Sequence, residues 1–357
     1  EGVEPAPVEE QGAAAGDAHE LVRLRLRDLL AFGLTQNRGG IVIGAILGLL
    51  WEADFANIDL GRPTLIVGRF FTRLWDDGRL LDNPGMTQVG LVLVGLFAVL
   101  MFVRVLSVLW AIVQLHGFTL TRHGDELRST RGLLTRVRST IPLSRIQLVT
   151  VRQSPLMRAF GCVEVRVQTA GGDKHATPGR EWLAPSLPAT GVDALVASVF
   201  PGVVMSSLDW QPADPRTARR MWRAAVGWLA VVMLIGTVFA RVPTLALILP
   251  AIAWAWFASR GRARSLGHAL LPEFVATRAG WWWKEESVAR YAKLQSVSTA
   301  ESPFDRRWSM ADVLADTAGG GSHRIAIHCL PADEARAVYS HLCEQAAIFA
   351  EVDPQQK

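Results

Sequence analysis

Charge and reactive side chains are scarce in this sequence. Only 20% of the 357 residues are charged, 50% are hydrophobic, and the mean hydropathy is +0.22. This composition excludes a disordered chain and is unlike that of an ordinary soluble enzyme. Cysteine occurs at only 3 widely separated positions, which argues against a disulfide framework and against a Cys-x-x-Cys metal site.

The motifs of the common catalytic and cofactor-binding sites are also missing. The 8 histidines form no His-Glu-x-x-His pattern, and the chain has neither a Gly-x-Ser-x-Gly elbow nor a Gly-x-Gly-x-x-Gly loop. We therefore nominate no catalytic residue and no metal ligand, and we expect no cofactor and no nucleic-acid partner. A membrane enzyme stays open as an alternative, but no residues support it.

Long apolar runs occupy two parts of the sequence. Residues 89–115 form a run of 27 in which Arg104 carries the only charge, and about 20 residues suffice to cross hydrocarbon. Residues 224–258 form a run of 35 interrupted by Arg241, which as one helix would be about 52 Å long. Two helices that meet near Pro243 fit better, because proline suits the first turn of a helix. The predicted spans are about 87–110, 222–240 and 242–259.

A shorter apolar run precedes these segments. Residues 39–51 number only 13 and fit either a buried core helix or a membrane span. Gly40, Gly44 and Gly48 repeat at the small-xxx-small spacing that lets membrane helices approach closely. We favour a span at about 39–58 and predict that these glycines are helix-packing residues.

Arginine placement predicts the orientation of the spans. Arginines lie before the first span, before the third and after the fourth, and the positive-inside rule makes these flanks cytoplasmic. They are Arg23, Arg25, Arg27 and Arg38, then Arg216, Arg219, Arg220 and Arg223, then Arg260, Arg262 and Arg264. Arginines in the connection 52–85 weaken the rule there, although acidic residues accompany them. The pattern predicts two membrane hairpins with both chain ends inside.

Arg104 has two interpretations. An ionisable residue within a span can mark an ion or substrate path. Alternatively the span ends at Arg104, whose side chain reaches the cytoplasmic interface, and residues 105–115 continue as a helix outside the hydrocarbon. We favour the second interpretation, since Arg241 is the one other charge within the spans.

Two polar regions repeat one another. Residues 132–172 align with 280–320 without a gap, at an offset of 148 residues. The identities include Gln147 with Gln295, Val149 with Val297, Ser154-Pro155 with Ser302-Pro303, Arg158 with Arg306, and 169–172 with 317–320. Each copy follows a predicted membrane hairpin, so the repeating unit is a hairpin plus a polar module.

Both modules have strand patterns followed by a helical pattern. Val163, Val165 and Val167 alternate with polar residues, and helices are predicted at 192–200 and 332–349. Strands closed by one helix indicate a small β-sandwich or barrel capped at one opening. The predicted division is a flexible linker 1–20, membrane hairpin 21–115, first module 116–205, basic linker 206–220, membrane hairpin 221–259, second module 260–348 and tail 349–357.

The first module contains a set of recognisable segments. They are RGLLTRVRSTIP from Arg131 to Pro142, RIQ from Arg145, QSPLMRAFG from Gln153 to Gly161, and TAG from Thr169. Together they resemble the bacterial PH-like domain of YdbS/YdbT-type membrane proteins. The second module is similar but weaker, with Arg290 in place of Pro142 and Ser309 in place of Gly161. The likeness covers about residues 20–347, and we expect the chain to be the C-terminal part of a longer protein.

The resemblance implies an α+β membrane protein with two transmembrane hairpins, each followed by a PH-like seven-stranded β-sandwich with a C-terminal capping helix. It implies binding or scaffolding at the inner face of a bacterial cell membrane, and an association with envelope stress or resistance to antimicrobial compounds. We expect membrane lipids and a protein partner, either another copy of the chain or a sister subunit. The alternative is a transporter or export component, although the spans offer few polar residues beyond Ser107, Thr237 and Thr244.

A basic segment of the first module is the candidate site for lipid or partner binding. Residues 131–158 contain no acidic side chain and the arginines Arg131, Arg136, Arg138, Arg145, Arg152 and Arg158. Beside a membrane, such a cluster attracts anionic lipid at about 1 kcal/mol per charge. Arg136 and Arg138 would point from one face of a strand. The competing interpretation is a solvated basic face paired with acidic residues elsewhere.

Two further features are open at this stage. Arg158 and Arg306 recur just after Ser-Pro, and each either contacts a ligand or partner or holds a helical turn in place. The three consecutive tryptophans at 281–283 occupy the position of 133–135, where a strand would turn their rings to both faces. These rings fit a core, a membrane interface or a partner groove.

Overall fold

The computed structural model describes residues 19–35, 84–170, 182–240, 245–318 and 324–352. Its α-helices are α1 (Leu26–Thr35), α2 (Pro84–Leu115), α3 (Pro155–Ala159), α4 (Val192–Val199), α5 (Thr217–Ala240), α6 (Leu245–Ser265), α7 (Pro303–Trp308) and α8 (Ala332–Val352). Its strands are β1 (His19–Arg23), β2 (Thr119–His123), β3 (Glu126–Arg131), β4 (Val137–Pro142), β5 (Ile146–Gln153), β6 (Cys162–Thr169), β7 (Trp182–Pro188), β8 (Gln211–Pro212), β9 (Gly267–Leu270), β10 (Phe274–Ala279), β11 (Lys284–Arg290), β12 (Leu294–Ala300), β13 (Met310–Thr317) and β14 (Ile325–Pro331).

Helix α2 has two parts with different surroundings. Its apolar side chains from residue 93 to 105 are mostly exposed, as illustrated by Phe97 at 61%. Ser107, Ala111 and Leu115, which are four residues apart and share one helix face, are buried, and the last two belong to the core of the first module. A soluble helix gains nothing by exposing a long apolar stretch, so the exposed part suits a lipid environment.

One helix among the described residues, over Leu93–Leu115, is long and apolar enough to cross a membrane. The span predicted at about 87–110 lies within α2, whereas the span predicted at 39–58, with Gly40, Gly44 and Gly48, lies outside the described residues. The spans predicted at 222–240 and 242–259 correspond to α5 and α6, which contact each other. Among the residues searched, neither α5 nor α6 meets the same criterion.

The first module consists of two antiparallel sheets around one core. One sheet has the strand order β1-β2-β3-β4, and β5, β6 and β7 are neighbours in the other. Val163, Val165 and Val167 of β6 are buried, as their period-2 spacing predicts. Helix α4 follows and buries Val196. The prediction of strands closed by a helix is confirmed for this module.

The second module has the same order of elements. Strands β8-β9-β10-β11 form four neighbours in one sheet, and β12-β13-β14 form a separate three-stranded sheet. Helix α8 follows and buries Ala335, Val338 and Leu342, which lie on one helical face. Tyr291 is the largest fully buried side chain of this core.

Each module takes its first strand from the segment that precedes its helix pair. Strand β1 pairs with β2 across α1 and α2, and β8 pairs with β9 across α5 and α6. The predicted division assigned residues 19–23 to the linker and hairpin and residues 211–212 to the basic linker, and both segments form strands that pair with a module. Such short strands have no detectable period in the sequence, and their partners lie beyond the helices.

The two modules are joined into one sheet of seven strands. Its order is β7-β6-β5-β11-β10-β9-β8, so β5 of the first module pairs with β11 of the second. The antiparallel register runs from Leu148 opposite Ala289 to Gln153 opposite Lys284. The apolar core also continues across this contact, since residues of both modules belong to one buried cluster.

Candidate membrane-contact site

Helix α1 fixes the exposed part of α2 to the first module. The two helices cross so closely at Gly33 that a β-carbon there would lie 2.6 Å from the Cα atom of Val108. Arg104 donates a hydrogen bond of 2.9 Å to the carbonyl oxygen of Leu34, in the last turn of α1. Carbonyl groups of a last helical turn lack partners within the helix, so they accept readily from such a donor. This contact gives the Arg104 guanidinium a protein partner in α1.

Trp182 of β7 is the centre of this junction. Its buried ring makes edge contacts with Phe32 of α1 and Trp110 of α2, at centroid distances of 5.4 and 6.4 Å. The guanidinium carbon of Arg131 lies 5.9 Å from the centre of the same ring. Arg131 is only 8% exposed, and burial lowers its pKa. The structure therefore places Arg131 inside the junction and not on the lipid-facing surface predicted for it.

Two more arginines of the predicted basic face lie between the modules. Arg152 of β5 forms an ion pair of 3.0 Å with Glu285 of β11. Arg158 of α3 donates hydrogen bonds to the carbonyl oxygens of Trp281 and Trp282. Both sets of acceptors belong to the second module, so these arginines join the modules. The structure thus favours the structural interpretation of Arg158.

Arg136, Arg138 and Arg145 are exposed and available to an anionic ligand. Arg136 lies in the β3–β4 loop and Arg138 in β4, so they do not share one strand face as their spacing predicted. Both lie at the end of β4 nearest α2, since the neighbouring Leu133 N–H donates to the Val113 carbonyl of α2. Arg145 follows the other end of β4, about 20 Å away at ~3.3 Å per residue. The predicted cluster therefore reduces to one pair near α2 and a distant single arginine.

Two equivalent loops present large hydrophobic side chains beside the helix pairs. Gly132 and Gly280 begin these loops with φ of 109° and 83°, conformations that favour glycine. Leu134 in the first loop is 83% exposed, and Trp283 in the second is 67% exposed. The three tryptophans therefore lie in a loop and not in the strand predicted for them, because the chain turns sharply at Gly280.

Each loop is attached to the end of the preceding long helix. The Gly132 N–H donates to the His116 carbonyl at 3.0 Å, just beyond the C-terminus of α2. Trp281 packs edge-on against Phe257 of α6 at a centroid distance of 5.3 Å. Gly261 makes room for this ring, since a β-carbon there would lie 2.6 Å from it. Aromatic and basic side chains at the base of exposed apolar helices are typical of a membrane interface.

The junction of the second module is polar instead of aromatic. Arg220 of α5 pairs with Asp305 of α7, and Asp305 also accepts from the Ser302 N–H at 2.9 Å, which caps α7. The Thr217 hydroxyl donates to the carbonyl oxygen of Cys329 in β14 at 3.4 Å. Helix α5 therefore contacts α7 and β14 as α1 contacts α3 and β7 in the first module.

Hydrogen bonds and burial shift the pKa values of Asp312 and Cys329. Burial alone would raise the pKa of Asp312, but hydrogen bonds from His328 and from the Cys329 N–H, both 2.8 Å, lower it overall. Burial raises the pKa of the Cys329 thiol to about 11, so the thiol is protonated and unreactive near neutral pH. Within the described ranges, no three His, Cys, Asp or Glu side chains are grouped so that they could hold a metal ion.

The last predicted site residue, Arg306, lies on the exposed side of α7 in the second module. The sequence analysis missed the residues that attach the helices to the modules. Trp182 and Gly33 carry no motif, and Arg220 was counted only as a flanking positive charge. The available signals were a large aromatic residue at the start of a strand and a glycine at a helix crossing.

Comparisons with known proteins found a matching family model and a similar protein. A model of the family described as Bacterial PH domain matches residues 70–200 and 224–346. The UPF0699 transmembrane protein YdbT of Bacillus subtilis (strain 168) is similar, with 24% identity over 169 residues. The similarity covers 46% of this chain and 30% of the relative, so the chain matches less than a third of that protein's length. No solved structure matches.

Proposed function

This chain belongs to the bacterial PH domain family and is a YdbT-type member, as the resemblance predicted, and from that premise we propose that it is an integral membrane protein that binds or scaffolds a protein or lipid partner at the inner face of the bacterial cell membrane. The observation that supports this most is the division of α2 into an exposed apolar part and a part buried in the first module. A module attached in this way stays at the bilayer surface, where its ligand is concentrated.

The proposed topology has two membrane hairpins and both modules in the cytoplasm. Helices α5 and α6 form the second hairpin, which is supported by their mutual contact and by the exposure of Trp228, Leu234 and Leu249. Arginines at the start of α5 and the end of α6 keep both ends on the inner side. The proposed partner of α2 in the first hairpin is the span predicted at about 39–58, which lies outside the described residues.

The proposed architecture is a duplicated unit of one hairpin and one PH-like module. Both halves have the same strand order, including a first strand taken from before the helix pair. The family model matches each half separately. The loops that begin at Gly132 and Gly280 also correspond at the offset of the sequence repeat.

The proposed lipid-contact surface consists of Leu133, Leu134, Arg136 and Arg138. The leucines supply exposed apolar area and the arginines supply positive charge beside the end of α2. This combination suits an anionic lipid, whose headgroup binds the guanidinium groups while its chains contact the leucines. The second copy has Glu286 in place of Arg138, so the contact is concentrated in the first module.

Lipid retention by the full chain tests this function. We expect Arg136→Gln with Arg138→Gln to weaken retention of phosphatidylglycerol in mixed micelles about tenfold or more, because each charge contributes about 1 kcal/mol. The measurement is the bound lipid per protein by native mass spectrometry over a lipid titration. Arg145→Gln with Arg324→Gln removes two exposed arginines elsewhere and should leave retention unchanged. Equal loss in both variants would refute a specific surface.

A further inference from the structure

Strands β4 and β12 differ from their counterparts in one respect. At the offset of the repeat, β4 corresponds to β11 and β12 corresponds to β5. In the part of the chain that the structure describes, β5 and β11 each pair on both sides, whereas β4 and β12 each pair on one side. The remaining edges, β1 with β8 and β7 with β14, are edges in both modules.

Exposure follows this difference in pairing. Residues 146–151 of β5 are buried, whereas their counterparts in β12 are exposed or half-buried throughout. Strand β11 buries Ser287, Val288 and Ala289, and β4 buries only Ile141. An exposed strand edge offers unpaired N–H and C=O groups to another strand.

The contact inside the chain shows what such an edge binds. Strands β5 and β11 pair antiparallel, and the Thr150 and Ser287 hydroxyls hydrogen-bond across the pair at 3.1 Å. The Arg152–Glu285 ion pair lies in the same ladder. Beyond its end, Arg158 of α3 binds the carbonyl groups of the loop after Gly280. The first module thus contacts the second through the edge of β5 and through Arg158 of α3.

We propose that β12 of one copy of this chain pairs antiparallel with β4 of a second copy, in the register that joins β5 to β11. Both halves of that contact lie on every copy, which is why the proposed occupant is a second copy. The register places Glu301 of one copy opposite Arg136 of the next, so the charges at that end of the ladder are complementary. Arg306, the counterpart of Arg158, faces the carbonyl groups of the Leu133–Leu134 loop of the next copy.

The contact is head to tail, because two different edges meet. Such contacts form closed rings or open arrays, depending on the rotation between copies. If the membrane anchorage proposed above holds, all helix pairs must stay in one bilayer, so the array extends in the plane of the membrane. This part rests on the proposed function, whereas the strand pairing itself does not require lipid.

Disulfide cross-linking of the full chain tests the register. We use Arg136→Cys with Glu301→Cys in a Cys343→Ser background, since Cys162 and Cys329 are buried. In native membranes under oxidation, we expect disulfide-linked dimers and larger species that disappear on reduction. The matched control is Gln153→Cys with Lys284→Cys, the equivalent pair inside the chain, which should form an intrachain disulfide.

Three results would overturn the proposal. The first is a monomer in which the thiols introduced at positions 136 and 301 stay reactive while the internal control is oxidised. The second is equal cross-linking by Arg136→Cys alone, which would mean that two β4 edges pair with each other. The third is a disulfide to a different polypeptide, such as a further PH-like module, in place of a second copy.

A second test uses two neighbouring arginines of α7. We expect Arg306→Ala to lower the yield of the cross-linked species several-fold and Arg307→Ala, also exposed, to leave it unchanged. Equal yields would remove Arg306 from the contact and contradict the register. Neither variant alters the lipid-contact surface, so lipid retention should be unaffected in both. Persistent cross-linking of the Arg136→Cys, Glu301→Cys pair, together with wild-type lipid retention by Arg136→Gln with Arg138→Gln, would refute the proposed function and leave the strand pairing intact.

Discussion

Single glycines determine where the two hydrophobic loops lie. A β-carbon at Gly280 would lie 1.8 Å from the carbonyl oxygen of Trp283, in addition to the strain of φ at 83°. At Gly124 φ is 56°, but no atom lies within 4 Å of the added β-carbon. We therefore expect Gly280→Ala to destabilise the protein by about 2–4 kcal/mol and Gly124→Ala by about 1 kcal/mol.

Thermal unfolding of the purified full chain in detergent measures the difference between these variants. Gly124→Ala is the matched control, because it isolates the cost of a positive φ from the steric clash. Similar unfolding midpoints for the two variants would mean that the loop after Gly280 rearranges at little cost and is not fixed by this residue.

His268 is a buried titratable group on β9, opposite Gln211 of β8 and Thr277 of β10. Burial lowers its pKa below the ordinary 6.5. The unfolded chain therefore binds a proton more readily than the folded chain, so the stability that depends on neutral His268 is present above pH 6.5 and declines as the pH falls below it.

We expect the unfolding midpoint to drop between pH 7.5 and 5.5, and His268→Gln to reduce that drop. His19→Gln is the control, because it removes a histidine from an exposed position of β1. A drop of the same size in the wild-type chain and in His268→Gln would show that other groups account for the acid sensitivity.

The partners of individual arginines could not be predicted from the sequence. Six arginines between residues 131 and 158 form a basic cluster in the sequence. In the fold, Arg131 is buried beside Trp182, and Arg152 finds its partner 133 residues away in Glu285. A linear segment contains no information about such distant acceptors, so the exposed pair could not be separated from the structural arginines.

At the scale of the elements, the junction between α5 and α7 depends on the ion pair between Arg220 and Asp305. Asp305 is buried and Arg220 is its cationic partner. Removal of one member of a buried ion pair leaves an uncompensated charge, which costs about 3–5 kcal/mol. We therefore expect Arg220→Met to destabilise the second module by about this amount, measured as the loss of hydrogen-exchange protection in β13 and β14.

Two further variants examine the cause of that effect. Arg220→Met combined with Asp305→Asn should recover most of the stability, because the neutral amide still caps α7 through its oxygen. Arg219→Met removes an exposed arginine one residue away and should change stability by less than about 0.5 kcal/mol. A double variant as unstable as the single one would show that packing, and not charge, determines the loss.

Elements with a strong local period could be predicted from the sequence. The alternation of Val163, Val165 and Val167 predicted β6, and the helical pattern from residue 332 predicted α8. Strands β1 and β8 could not be predicted, because they are short and pair with strands beyond the inserted helices. The tryptophan triplet was assigned to a strand, since its alternation cannot reveal the turn at Gly280.

The shared sheet makes the two modules one structure at the scale of the whole molecule. Sequence analysis predicted two copies of one module, but it left open whether the modules pack on each other, because β5 and β11 are far apart in the chain. Strand β5 lies inside the seven-stranded sheet, between β6 and β11, and its residues 146–151 are buried. Without β11, one edge of β5 would be unpaired. The free energy of unfolding of the first module therefore depends on residues of the second.

Val288 of β11 provides the test of this dependence, since it is buried opposite Val149 of β5. We expect Val288→Asp in the full chain to reduce hydrogen-exchange protection in β6 of the first module as well as in β10 of the second. The physical reason is that an unpaired buried carboxylate costs several kcal/mol at a ladder that both modules share. Thr140→Asp, at the position of β4 that corresponds to Val288, should leave protection in β6 and β10 unchanged, because β4 belongs to the other sheet of the first module. Loss of protection in β10 with full protection in β6 would show that the modules unfold independently and that the seven-stranded sheet does not couple them.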